Sequence, residues 1–358
     1  TFALPTVRLD GRSLTDGSVS AAGILADGVT LTVDSLVVAS GLLTINGVTH
    51  VNGTLVNVSS SGSVVGTGLS HSGSTMLGEQ PGDNGNEAGS HGGAGMMIDG
   101  GTYGTPYGST FEPITVGSGS MHEGGGAAFR VTADTFALDG QITMDGGDTN
   151  NYGAGAGGSV WVTTRLLLGS GGAISAVGGD ATQNDNRAGG GGGRVAVYCE
   201  TTEYVGTFAG FSGLPDVSVS GGSSRLASGP RAGGSGTAYF DCGEATRTLV
   251  LKQPDGNSWA QFTTNLVDDG MSSYAFDHVR LYNGAVLGFA PANVGAATVT
   301  VSVASFGGDG TGMLQVASGV RVLAVAQPNS SFAADSHYQT SEGALVADGA
   351  AGVGELVR

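Results

Sequence analysis

The chain has 358 residues, 39% of them apolar and 68 of them glycine, with a net charge of −17 and one lysine, Lys252. That apolar content argues against disorder, and glycines that cluster between apolar runs, not at every third position, argue against collagen. The charge argues against nucleic acid and against docking on anionic lipid, and no apolar run approaches the roughly 20 residues needed to cross a bilayer.

Residues 1–66 read as short β segments with period-2 alternation. Val29-Thr30-Leu31-Thr32-Val33, Leu42-Leu43-Thr44-Ile45 and Thr54-Leu55-Val56-Asn57-Val58 are punctuated by Gly41, Gly47 and Gly53. Thr, Val, Ser and Gly dominate and no run keeps a 3.6 spacing between caps, so helix is not supported. The chain opens at Thr1 without a methionine or signal-like stretch, as a mature chain or excised segment would. Asn52 and Asn57 head Asn-x-Ser/Thr sequons, as does Asn329 further on; these suit a secreted glycoprotein but also arise by chance in a Ser/Thr-rich chain.

Residues 67–126 form a Gly-rich stretch, expected to be a long loop inserted in the fold and, by its length, a place where function resides. It holds His71, His91 and His122 with several carboxylates. These could ligate a transition metal, but their spacing matches no familiar zinc pattern.

Residues 127–245 carry an internal repeat. Gly126 to Asp148 aligns with Gly158 to Asp180 without a gap, and Gly140/Gly172, Ile142/Ile174 and the closing Gly-Gly-Asp are among the identities. Val160, Val195 and Ala238 open further matching segments, and Ile142, Ile174 and Val217 open a second set. Short segments joined by connections of variable length predict strands stacked in a β-solenoid. Cys199 and Cys242 fall at the same place in GRVAVYC and GTAYFDC. Directly stacked strands would put their Cα atoms about 4.8 Å apart, within disulfide range, and a bridge would imply an oxidising compartment; the other reading is two buried thiols in an inward column.

The same alignment puts Phe129, Trp161 and Tyr239 in one column, opposite the aliphatic ones. That column reads either as an outer stripe that stacks on sugar rings or as aromatics packed beneath the Gly-rich stretch. Asp145 and Asp148, with Asp180 and Asp185 in the next copy, supply clustered oxygens of the kind Ca²⁺ takes, although turn chemistry alone accounts for Asp, Asn and Gly there.

From about 246 to 358 clean strands return, at Phe276 to Leu281, Ala297 to Val303 and Leu314 to Val316, and LQVASGVRVL echoes the earlier LVVASGLLTI. The expectation is further solenoid turns to the end, with a separate β-sandwich after 246 as the alternative.

The motifs SHGG at Ser90 to Gly93, TYGTPYGSTFEPITVGSGS, EGGGAAFRV, the LDGQITMDGG and SGGAISAVGG endings and GGGGGRVAVY resemble the Gly-rich right-handed parallel β-helix segments, pectin-lyase-like in fold, of very large secreted or surface proteins. The likeness covers roughly residues 80–245. It implies an all-β, right-handed parallel β-helix in an extracellular structural or adhesive protein, with other modules of a surface or filament assembly, or glycans, as partners, and it attaches no catalytic residues.

A polysaccharide lyase, hydrolase or carbohydrate-binding β-helix is the rival reading. Lys252 sits in a turn-like LKQPDGN, no carboxylate pair stands out, and an acidic surface repels a polyanionic substrate. Ice binding would need regular Thr-x-Thr columns, and only isolated cases occur.

Overall fold

The structure, a computed structural model, describes residues 23–70, 87–96, 104–150, 152–181, 188–226, 229–254, 263–266, 271, 273–289, 299–316 and 320–325. It also describes six short strands, Phe2–Ala3, Val7–Leu9, Arg12–Leu14, Ser18–Val19, His337–Thr340 and Ala344–Asp348, and the terminal pair Gly354–Glu355. The fold is all-β, with no helix among these residues and eighteen strands joined in one mostly parallel sheet.

Strand Val29–Ile45 pairs in parallel with Val48–Val65, which pairs with Ala128–Leu138, then Ser159–Leu168, Arg194–Thr202 and Thr237–Cys242. A second parallel run joins Gln141–Thr143, Ala173–Ser175 and Asp216–Ser218, with Ile142, Ile174 and Val217 in register. The ladder thus runs without a break from the N-terminal strands into the repeat.

One register differs from the sequence alignment. Val160 pairs with Phe129 and Trp161 with Arg130, so the offset between first strands is 31 residues, against 32 between Ile142 and Ile174. The additional residue is taken up in the corner after Leu168, where Gly169 and Gly171 have φ of 123° and 73°. Phe129 therefore shares the inner column of Val160, Val195 and Ala238, and Arg130 stands in the column of Trp161, Ala196 and Tyr239.

After Cys242 the chain doubles back. Ala245–Lys252 pairs antiparallel with Thr237–Cys242, and the ladder then continues in parallel through Ser273–Tyr282, Val299–Gly308, Val320–Val325 and Ala344–Asp348. A second parallel sheet joins Thr263–Asn265, Val286–Phe289, Met313–Val316 and His337–Thr340. This pairing is not that of an antiparallel β-sandwich. Val160, Val195, Ala238 and Val250 belong to one hydrophobic core, whereas Trp161, Ala196, Tyr239, Leu249 and Leu251 belong to another. Neighbouring residues of a strand point to opposite faces, so the two cores lie on opposite sides of a shared sheet.

The glycines build a third element. Ala154 and Gly157 donate to the carbonyls of Ala188 and Gly191, Gly155 and Gly158 to Gly147 and Met144, and Ala156 to Ser118. Hydrogen bonds return to the same neighbour every third residue and radiate in three directions, as an extended helix of three residues per turn requires. The pattern recurs when Gly190 and Gly193 donate to Gly179 and Ala176, and when Gly233 and Gly236 donate to Gly222 and Val219. Close approach excludes a side chain at the glycine positions, since a Cβ on Gly155 would overlap the carbonyl oxygen of Gly124. Residues 87–96 and 104–126 are woven into this lattice, through Gly89 to Ala154 and Gly117 to Gly126 among others. The expected surface loop is, in its described parts, largely buried, with Ser90, His91, Thr110 and Ser120 among its buried polar residues.

Gly155→Ala is expected to lower unfolding free energy by about 3 kcal/mol. Gly53→Ala, whose Cβ would meet its nearest neighbour, Val33 O, at 3.1 Å, is expected to cost about 1 kcal/mol or less. Urea denaturation midpoints of the two variants check the contrast.

Candidate functional site

Cys199 and Cys242 sit opposite one another in neighbouring strands and form a disulfide, with Cα atoms 4.6 Å apart. The reading of two inert buried thiols is thereby set aside. The bridge spans 43 residues of sequence and lies at the hairpin where strand direction reverses. A chain-entropy treatment gives such a loop about 4 kcal/mol.

The aspartates proposed as calcium ligands tie copy to copy. Asp145 Oδ1 accepts from Val177 N at 2.7 Å and from the Ser175 hydroxyl, Asp148 Oδ1 accepts from Asp180 N at 2.7 Å, and Asp180 Oδ1 accepts from Ser223 N at 2.7 Å. Burial raises the pKa of Asp145 and of Asp180, and the neighbouring charge of Asp148 adds to both. Asp185 lies outside the described residues. Among the described residues no group of three His, Cys, Asp or Glu side chains is placed to hold a metal ion.

His91 is fully buried. Its Nδ1 lies 2.7 Å from the Gly157 carbonyl, which can only accept, so Nδ1 carries the proton and Nε2 accepts from Thr115 Oγ1 at 2.9 Å. Burial, aided by the charge of Arg194, pushes its pKa down to about 3. His122 is exposed and stacks on Tyr152 at 3.7 Å, and His71 lies outside the described residues. The two described histidines, His91 and His122, thus have separate surroundings, one against Gly157 and Thr115 and the other against Tyr152.

Arg194 is fully buried as well. Its Nε donates to Tyr107 O at 2.9 Å and its Nη1 to Thr110 Oγ1 at 3.0 Å and Thr237 Oγ1 at 2.9 Å. With Ser159 Oγ donating to Thr115 O and Tyr198 OH to Phe111 O, it fastens residues 107–115 across the face of the first sheet that is turned from the first core. Phe111 then enters the second core against Tyr239, at 4.8 Å. Sequence reasoning missed Arg194; its signal was an arginine placed directly after the run Gly189 to Gly193.

The proposed outer aromatic stripe is not formed. Phe129 is 1% exposed and lies in the first core, while Trp161 and Tyr239, 9% and 5% exposed, lie in the second, beneath the Gly-rich segment. The one-residue register difference turns Phe129 to the other face, while Trp161 and Tyr239 keep one column and are covered by the second core, Phe111 of the Gly-rich segment included. Asn52 and Asn57 sit within strand Val48–Val65, paired on both sides and half-buried, and Asn329 lies outside the described residues.

The chain matches no protein-family profile, no curated protein and no solved structure.

Two outcomes follow for stability. Between pH 6.5 and about 3 the unfolded chain holds a proton that folded His91 refuses, so stability falls with falling pH by about 1.4 kcal/mol per unit through this group. His91→Gln, which retains a donor and an acceptor, is expected to reduce that slope, read from unfolding free energies at pH 7 and 5. Asp145 acts in the opposite sense: its raised pKa favours the protonated folded form, so its contribution is present at low pH and lost as pH rises through the folded value. At neutral pH Asp145→Asn, which keeps the acceptor, is expected to match or exceed the native chain in thermal melting, and Asp145→Ala to lose about 1–3 kcal/mol.

Proposed function

We propose that this chain is a non-enzymatic extracellular segment of a surface, fibre or matrix protein, wound as a right-handed parallel β-helix with the Gly-rich insertion packed along its side. The supporting observation is where the repeat spends its polar groups. Asp145, Asp148 and Asp180 each hold a backbone N–H of the next copy, so the polar groups of the repeat serve cohesion between copies.

The hairpin at Cys242 fits this reading. Reversing strand direction while moving the core to the opposite face amounts to a half-turn about the stacking axis, and a rotation preserves hand. Both halves would then wind with the same hand, as the handedness of parallel crossovers demands. The disulfide supports an oxidising, extracellular setting, and no helix among the described residues is long and apolar enough to cross a membrane. Its partners on this reading are neighbouring modules of the same assembly. The three described aspartates each give one oxygen to a backbone N–H, and this reading does not call on calcium for cohesion.

Incubation with acidic and neutral polysaccharides, followed by product analysis, is expected to show no cleavage, and turnover of any of them would establish the lyase or hydrolase reading instead. Reduction of the disulfide is expected to lower stability by about 2–4 kcal/mol, and chelation of calcium to leave the melting midpoint unchanged.

A further inference from the structure

Thr30, His50, Arg130 and Trp161 stand in one column on the face of the first sheet turned from the first core, and Thr32, Asn52, Thr132 and Thr163 form the next column. All but Trp161 are half-buried, so the strip is partly open. It closes at Trp161, beyond which Ala196 is fully buried.

Within this strip the guanidinium carbon of Arg130 lies 3.8 Å from the centre of the Trp161 ring. A cation over the ring face is attracted there by the ring's quadrupole, and a guanidinium so placed keeps its N–H groups for hydrogen bonds. Arg130 Nε and Trp161 Nε1 are buried and have no hydrogen-bond partner among the described residues. Each can only donate, and buried donors left unmatched are costly. Arg165 and Arg247 pair with Asp134 and Asp277, whereas Arg130 has no ion pair among the described residues. The adjoining His50 bonds Thr132 Oγ1 at 3.1 Å, and burial together with the Arg130 charge lowers its pKa, so at neutral pH it does not compete for an anion.

The unmatched N–H donors of Arg130 and Trp161 fit an anionic acceptor, and a carboxylate is the singly charged one that matches a guanidinium. The net charge of −17 resists a multiply charged ligand more strongly than a single carboxylate. We propose that Arg130, held over the Trp161 ring and flanked by His50, Asn52 and Thr132, is a recognition site for a carboxylate group. Two carboxylate oxygens take the guanidinium fork in parallel. The site does not depend on the structural role proposed above, since cleavage assays and binding assays read the two separately.

The test uses the intact oxidised chain carrying Trp259→Phe, which leaves Trp161 as the fluorescent reporter. It is titrated with D-glucuronate, with N-acetyl-aspartate amide and with glucose. The expected result is a saturable response to the carboxylates and none to glucose, weakened at least tenfold by Arg130→Gln at an unchanged melting midpoint. Arg130→Lys, which keeps the charge but not the fork, is expected to fall between. A tighter response to glucuronate assigns the carboxylate to a sugar, and a tighter response to the aspartate compound assigns it to a side chain. Absence of a saturable response to either, an equal response to glucose, or an unaltered response in Arg130→Gln would overturn the proposal.

Discussion

Close backbone-to-backbone approach is the constraint on which this structure depends. Segments such as 154–158 hydrogen-bond to several neighbours at once, with the same neighbour returning every third residue. At positions such as Gly155, Gly157 and Gly158 the neighbouring backbone lies too close for any side chain, with only the small Ala154 and Ala156 alongside them, which is why glycine is so abundant here despite the conformational entropy it costs. The lattice also solves a problem of burial. Residues 87–96 and 104–126 contain few apolar side chains, yet their backbone polar groups find partners within the lattice instead of in water.

The β ladder and the lattice depend on each other. The strands leave the lattice through positions such as Gly158, Gly193 and Gly236, each of which accepts no Cβ because the preceding copy lies against it. Arg194 and Ser159 then fasten the covering segment back onto the sheet. At the far end the sheet is used on both faces, with Val250 turned to one core and Leu249 and Leu251 to the other. The Cys199–Cys242 bridge, the hairpin and Phe111 all meet at this junction, where the chain changes direction and one core gives way to the next.

Much of this was legible in the sequence where side-chain pattern governs geometry. Ile142, Ile174 and Val217 align because apolar residues must keep one face, and Cys199 and Cys242 align for the same reason. The first strands were misread by one residue because glycine at Gly126 and Gly158 anchored the alignment, while the compensating residue lay in the corner near Gly169. That single slip carried Phe129 to the wrong face, since strand side chains alternate. The burial of residues 87–96 and of much of 104–126 was not legible, because a backbone lattice leaves no periodic apolar signature and a Gly-rich stretch reads as a loop. Nor was the pairing of Arg130 with Trp161, which exists only in the shifted register.

The glycine lattice is tested most directly by amide hydrogen exchange resolved to single residues. If these segments are hydrogen-bonded as described, the amides of Gly89, Gly155, Gly157, Gly190 and Gly191 exchange as slowly as those of strand Ser159–Leu168. Exchange at the rate of an unprotected loop, with protection confined to the strands, would contradict the account.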